Sequence, residues 1–135
     1  MSVQVYNGKM SVRILVADDA AFIREVLNQI IAKAGFELVG EATDGVEAVD
    51  LALKEKPDVI IMDIVMPNKS GIQATSEILE KLPNTKIIAC TTEGQESMVF
   101  KALEAGCCDY VTKPFKVQQM IQVIVKSTAR GVTDG

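Results

Sequence analysis

The sequence contains no histidine, and this absence excludes more chemistry than any other feature of its composition. Without imidazole there is no histidine general base, no histidine metal ligand, and no serine–histidine or cysteine–histidine nucleophile pair. Self-phosphorylation on histidine is excluded as well. Any reaction must therefore rest on carboxylates, hydroxyls and lysine.

Cysteine is scarce, and its arrangement predicts neither a disulfide framework nor a zinc site. The three cysteines are Cys90, Cys107 and Cys108. Their number is odd, two are adjacent, and their spacing matches no common zinc motif. We interpret them as reduced thiols of a hydrophobic core.

Long apolar runs and excess positive charge are also missing. No stretch approaches the roughly 20 apolar residues that span a bilayer, and residues 1–9 do not resemble a secretory signal. The formal net charge of −4 argues against a surface for nucleic acid, whose phosphates are held mainly by clustered lysine and arginine. We expect a cytoplasmic protein that contacts neither DNA nor the membrane interior.

The composition that is present is typical of one globular domain. The chain has 135 residues, of which 48% are hydrophobic and 24% are charged. This length is ordinary for a single domain with its own core. We expect a domain over residues 11–130, short tails at 1–10 and 131–135, and a monomer.

Apolar runs and amphipathic segments alternate along the whole domain. We predict strands at residues 12–17, 36–42, 59–62, 85–90 and 108–112, and helices at 20–34, 46–55, 71–82, 95–105 and 116–129. Strict alternation with short connections favours parallel strands joined by right-handed crossovers. The predicted fold is α/β: a three-layer, doubly wound (βα)5 parallel sheet.

Polar residues follow four of the predicted strands, at the edge where such sheets bind ligands. They are Asp18-Asp19, Asp63, Thr91-Thr92 and Lys113-Pro114. Each has an ordinary structural alternative: Asp19 as a helix N-cap, Asp63 and Thr91 as turn residues, and Lys113 as a solvated lysine. Their joint placement favours a single site.

Three clustered carboxylates need a counter-charge. Two of them about 4 Å apart repel by on the order of 4 kcal/mol at an effective dielectric constant near 20. Oxygen ligands without histidine or thiolate select hard cations, so we expect Mg²⁺. With Asp63 as nucleophile, and Lys113 and Thr91 to neutralise phosphoryl oxygens, the site is suited to phosphoryl transfer.

These residues closely resemble the pattern of bacterial response-regulator receiver domains. The resemblance covers residues 11 to about 129 and includes LVADD at 15–19, DIVMP at 63–67, Thr91 and KPF at 113–115. Further matching positions are Gly71, Ala105-Gly106 and Tyr110. The resemblance implies the flavodoxin-like strand order 2-1-3-4-5, which is known for this family.

The resemblance also implies a role for each site residue. Asp63 would accept a phosphoryl group from a phosphohistidine of a partner kinase, and the chain would catalyse only its own phosphorylation and dephosphorylation. Asp19, Asp63 and the Val65 carbonyl would bind Mg²⁺ directly, with Asp18 acting through a metal-bound water. Thr91 and Lys113 would contact phosphoryl oxygens, and the Lys113–Pro114 bond would be cis.

An output surface is implied on the fourth helix, fifth strand and fifth helix. Tyr110 would be its moving part, and Val99 and Phe100 would meet the partner. Around the phosphoryl pocket, the resemblance and the spacing place further residues: Thr92, Glu93, Pro114 and Val65. Thr92 stands where many relatives have Ala or Gly, and Val65 where some carry a polar side chain.

Among receivers, the single-domain length and residues 91–99 are most similar to CheY-like chemotaxis proteins. The expected partners are a histidine kinase, a downstream target such as a flagellar motor switch component, and a phosphatase. A receiver in a phosphorelay outside chemotaxis is the alternative.

Three other classes share part of the pattern. A haloacid-dehalogenase-type phosphatase would carry Asp-x-Asp after its first strand, whereas Asp18 and Asp19 are adjacent. A flavodoxin-like FMN carrier would offer a phosphate loop without acids. An interaction module that is never phosphorylated usually loses part of the acidic set, which is complete here.

Overall fold

A computed structural model of the protein describes the backbone of residues 11–133 and the side chains of residues 11–128. The predicted tail at residues 1–10 lies outside the described residues, as do residues 134–135. Among the described residues, no helix has the length and apolarity to cross a membrane.

Five strands alternate with five helices, as the sequence pattern predicts. The strands are β1 (Arg13–Ala17), β2 (Glu37–Ala42), β3 (Val59–Asp63), β4 (Lys86–Thr92) and β5 (Asp109–Lys113). The helices are α1 (Ala21–Lys33), α2 (Gly45–Glu55), α3 (Gly71–Lys81), α4 (Glu96–Ala105) and α5 (Val117–Thr133). All strand pairs are parallel, and their order is β2-β1-β3-β4-β5. The predicted fold and strand order are confirmed.

Two hydrophobic clusters cover the two faces of the sheet. Alternate side chains of β1 point to opposite faces, so Leu15 joins the cluster beneath α2, α3 and α4, while Ile14 joins the one beneath α1 and α5. Every residue of β3 is buried. A continuous apolar run is therefore required at the centre of a sheet that is covered on both faces.

Three strands end later than the sequence pattern indicates. Asp63 is the last residue of β3, Thr91 and Thr92 end β4, and Lys113 is the last residue of β5. The pairing continues through these residues, with Asp63 opposite Cys90 and Thr92 opposite Lys113. The polar side chains thus stand on the sheet edge itself, and not in the loops beyond it. The last helix also continues to Thr133, past its predicted end at residue 129.

Two helices begin with side-chain caps that hold the loops at this edge. Asp44 accepts a hydrogen bond from the Glu47 amide at the start of α2, and Ser70 forms a capping box with Gln73 at the start of α3. At α1 the N-cap residue is Ala20, with no side-chain cap. The alternative role of Asp19 as a helix cap is therefore not observed.

Candidate functional site

The three predicted acids meet at the carboxyl end of the sheet. One carboxylate oxygen from each of Asp18, Asp19 and Asp63 lies within 4.8 Å of the other two. Asp18 and Asp63 are buried, while Asp19 is exposed. This acidic cluster opens to solvent through Asp19 and could hold one cation.

Among the described residues, Lys113 is the positively charged side chain that contacts this acidic cluster. Its Nζ donates to Asp18 Oδ2 at 2.7 Å and lies 3.5 Å from Asp63 Oδ2. In the sheet, β4 and β3 lie between β5, which carries Lys113, and β1, which Asp18 follows. The contact between Lys113 and Asp18 therefore spans the ends of β4 and β3. One ammonium therefore contacts two of the three carboxylates in the cluster.

The excess of negative charge affects the pKa of Asp63. The pKa of Asp63 is raised from 3.8 to about 6, because burial and the nearby Asp18 carboxylate raise it more than the Lys113 ammonium lowers it. Burial by itself would lower the pKa of Lys113. The hydrogen bond to Asp18 and the charges of Asp63 and Asp18 outweigh it, so the pKa of Lys113 is raised and the ammonium form persists.

Asp18 is fixed by local contacts that the sequence pattern did not reveal. Its Oδ1 accepts a hydrogen bond from the Ala20 amide at 2.9 Å, and its backbone carbonyl accepts one from Arg24 Nη1 at 2.8 Å. Arg24 also pairs with Glu41 on β2 at 3.2 Å. An arginine one turn into α1 therefore links the site to the neighbouring strand, and only tertiary structure shows this role.

The loop after Asp63 is held against α3 by a close backbone approach. The Gly71 amide donates to the Ile64 carbonyl at 2.8 Å, and a Cβ at Gly71 would lie 2.0 Å from the Asp63 carbonyl oxygen. Only glycine fits this contact. Within the loop, the Val65 amide hydrogen-bonds to Asp63, while the Val65 side chain is exposed.

Thr91 is buried, and its hydroxyl is held by a residue that the sequence analysis did not single out. Thr91 Oγ1 donates to Gln95 Oε1 at 3.1 Å and also lies 3.4 Å from the Thr92 carbonyl. The same Gln95 oxygen accepts the Thr92 amide at 3.2 Å. No sequence motif marks Gln95, because its role depends on a side chain that folds back over the β4–α4 loop.

The remaining predicted pocket residues lie at or just after the ends of β4 and β5. Thr92, Glu93 and Pro114 are exposed. The Lys113–Pro114 peptide bond is cis, which confirms what the resemblance implied.

The predicted output residues line one cleft beside the site. Thr91, Val99, Phe100 and Tyr110 are among the residues around a cavity of about 520 Å³ between α4 and β5. Phe100 is 73% exposed and Tyr110 is 45% exposed. Exposed aromatic side chains beside a strand-end hydroxyl form a face suited to protein contact.

Comparison with known proteins agrees with this geometry. The sequence model for the response regulator receiver domain matches residues 14–125. The chain belongs to the response regulator receiver domain family. It is 47% identical to the chemotaxis protein CheY of Thermotoga maritima, over 87% of this chain and 98% of that protein.

Two solved receiver structures are similar in fold. One is a receiver domain of a sensor histidine kinase from Pseudomonas aeruginosa, with a magnesium ion coordinated in its active-site cleft. It is 28% identical with a TM-score of 0.80, covering 88% of this chain and 98% of that one. The other is from a CheX–CheY–BeF3–Mg complex of Borrelia burgdorferi, 30% identical with a TM-score of 0.81, covering 85% and 87%.

Within this receiver domain, the described structure brings the predicted residues into two neighbouring groups. Asp18, Asp19, Asp63 and Lys113 form the charged group. Val99, Phe100 and Tyr110 form the second group, which lines the cleft. Thr91 also lines the cleft, and its hydroxyl donates to Gln95. Arg24 and Gln95 are the additional residues that contact Asp18 and Thr91.

Proposed function

We propose that this protein is a phospho-acceptor response regulator in which Asp63 receives a phosphoryl group from a phosphohistidine of a partner kinase. The observation that carries the proposal is the acidic cluster, whose three carboxylates converge within 4.8 Å and are met by the Lys113 ammonium. Membership of the receiver domain family supports it.

The reaction follows from the groups at the sheet edge. A carboxylate oxygen of Asp63 attacks phosphorus, the new P–O bond forms as the P–N bond of the phosphohistidine breaks, and the released imidazole keeps the electron pair and takes a proton. With a pKa of about 6, Asp63 is largely ionised at neutral pH and is therefore nucleophilic. Lys113 and Thr91 would neutralise the phosphoryl oxygens.

Mg²⁺ fits the donor set, because all its ligands are oxygens and three carboxylates face one ammonium. We assign Asp19, Asp63 and the Val65 carbonyl as direct ligands, and Asp18 as a ligand through water. When bound, the ion supplies positive charge that offsets the repulsion between Asp63 and an incoming phosphoryl group. A magnesium ion coordinated in the cleft of the Pseudomonas aeruginosa receiver supports this assignment.

The proposed output is a change of protein binding. Movement of the Thr91 hydroxyl toward a phosphoryl oxygen would free space beneath α4, and Tyr110 would rotate into it. The partner would then meet Val99, Phe100 and Tyr110, which line the cleft between α4 and β5.

The scope of the function is signalling without turnover of an external substrate. The chain would catalyse only its own phosphorylation and dephosphorylation, in the cytoplasm and as a monomer. The Thermotoga maritima relative is named a chemotaxis protein, and the Borrelia burgdorferi CheY is seen in complex with CheX. We therefore place this protein in chemotaxis, with a kinase, a motor-type target and a phosphatase as partners.

Intact-mass measurement after incubation with phosphoramidate tests the proposal. The wild-type protein should gain one phosphoryl group when Mg²⁺ is present and almost none when it is chelated, and Asp63→Asn should gain none. Asp58→Asn is the matched control, since Asp58 is equally buried but lies outside the acidic cluster, and it should be modified like the wild type. A normal adduct on Asp63→Asn would refute the assignment.

A further inference from the structure

Gln95 makes three hydrogen bonds that close the β4–α4 loop onto Thr91 and Thr92. Its side-chain Oε1 accepts the Thr91 hydroxyl at 3.1 Å and the Thr92 backbone amide at 3.2 Å, and its backbone amide donates to the Thr92 carbonyl at 3.3 Å. Gly94, at φ 89°, allows the tight turn between them. The side chain of Gln95 therefore supplies two of the three contacts that hold the end of β4.

These contacts are not those of an ordinary helix cap. Gln95 occupies the N-cap position of α4, yet its side chain makes no capping hydrogen bond to the helix. It turns back to the strand that carries Thr91. Its side-chain contacts thus fix the loop and the Thr91 hydroxyl, and they do not cap the first turn of the helix.

The Thr91 hydroxyl has a single proton to donate. While this proton is directed to Gln95, it cannot also be donated to a group bound at Asp63. Any state in which Thr91 contacts a phosphoryl oxygen must first break the bond to Gln95. The Gln95 contacts therefore stabilise the arrangement without a phosphoryl group, relative to the arrangement with one.

We propose that Gln95 is a positioning residue that latches Thr91 and the β4–α4 loop in the unphosphorylated arrangement, and so sets how readily the domain switches. This inference rests on the function proposed above. If only a fraction of the free protein has the competent loop, the apparent affinity for a phosphoryl group equals the intrinsic affinity multiplied by that fraction. Removing the Gln95 contacts should raise both this fraction and the apparent affinity.

Beryllofluoride with Mg²⁺ is a suitable probe, because it mimics the phosphoryl group without a covalent reaction. Titration followed by ¹⁹F NMR should show Gln95→Ala binding it about three- to tenfold more tightly than the wild type, as expected from the loss of one or two hydrogen bonds. Gln95→Met should give the same result, since it keeps the length of the side chain but loses the strong acceptor. Mg²⁺ affinity without beryllofluoride should be unchanged in both.

Two controls separate the latch from a general effect on stability. Gln29→Ala makes the same chemical change at an exposed position of α1 and should bind like the wild type. In a Thr91→Val background, which already lacks the hydroxyl, Gln95→Ala should lose most of its effect. Full retention of the effect there would contradict the latch.

The outcomes also distinguish this inference from the function on which it rests. If the wild-type protein fails to bind beryllofluoride with Mg²⁺, the phospho-acceptor assignment and the latch are both wrong. If the wild type binds it and both Gln95 variants bind with equal or lower affinity, the latch alone is wrong.

Discussion

Two buried aspartates bracket the central strand β3, and their surroundings are opposite in character. Asp58 precedes the strand and is 7% exposed, while Asp63 ends it and is 8% exposed. Burial therefore does not distinguish the two. Their neighbours do.

At the amino end of the sheet, Asp58 is integrated into the backbone pairing. Its Oδ2 accepts the Arg13 amide at 2.9 Å, its own amide donates to the Arg13 carbonyl, and its carbonyl accepts the Lys86 amide. At the carboxyl end, Asp63 shares its space with Asp18 and Asp19. A buried acid held by backbone donors supports the fold, whereas one placed beside other acids is kept for a ligand at some cost in stability.

The two aspartates should respond in opposite directions to the same substitution. Without divalent metal at pH 8, Asp63→Asn should raise the free energy of unfolding by about 1–3 kcal/mol, because it removes a buried charge whose pKa is raised from 3.8 to about 6. Asp58→Asn should lower it by about 1 kcal/mol, since a charge-assisted hydrogen bond becomes a neutral one. Urea denaturation with EDTA measures both.

The pH dependence of the free energy of unfolding tests why Asp63→Asn should be more stable than the wild type. A carboxyl with a raised folded-state pKa binds its proton more tightly in the folded protein, so stability falls as pH rises from 3.8 to about 6. The groups that face Asp63 are Asp18, Asp19 and Lys113. The advantage of Asp63→Asn should be complete above pH 7 and disappear below about pH 4. An advantage that is independent of pH would contradict electrostatic strain.

The affinity for Mg²⁺ gives a second test of the difference between the two ends of the sheet. Asp19→Asn should lower Mg²⁺ affinity about tenfold, because it removes one charged oxygen ligand from the cluster. Glu25→Gln, an exposed acid on α1 outside the cluster, should leave the affinity unchanged. Calorimetry showing equal affinity in Asp19→Asn and the wild type would remove Asp19 from the metal site.

The sequence predicted the order of the strands and the edge at which the polar residues meet, but not the side-chain contacts between those residues. Alternating patterns placed Asp18, Asp63, Thr91 and Lys113 at one edge, because parallel crossovers bring all carboxyl ends to the same side. Three of the five strands are predicted to end one or two residues early, because the polar side chains of Asp63 and Thr92 give no sign that strand pairing continues through them.

Other roles could not be found from sequence, because they depend on where a long side chain folds. Arg24 reaches the Asp18 carbonyl, and Gln95 turns back to Thr91. Asp58 was missed for a related reason: the backbone amide that holds it comes from β1, distant in sequence. Such contacts leave no spacing pattern.

The smallest expected effects concern Thr92 and Val65, two exposed residues beside the charged end of the sheet. Thr92→Ala removes bulk next to Thr91 and should speed phosphorylation severalfold with acetyl phosphate, and less with the smaller phosphoramidate. A tenfold change needs only about 1.4 kcal/mol of barrier, so a side chain that narrows access is sufficient. Val65→Asn adds a group able to hydrogen-bond water and should alter dephosphorylation, while Mg²⁺ binding stays nearly constant because only the Val65 carbonyl is a proposed ligand.

Thr85→Ala supplies the comparison from the opposite end of the sheet, where the Thr85 hydroxyl donates to the Pro57 carbonyl at 3.2 Å. The same substitution there should leave both phosphorylation rates unchanged in stopped-flow measurements. If Thr92→Ala and Val65→Asn also react at wild-type rates, their side chains merely fill loops. Access to Asp63 would then be set by residues other than Thr92 and Val65.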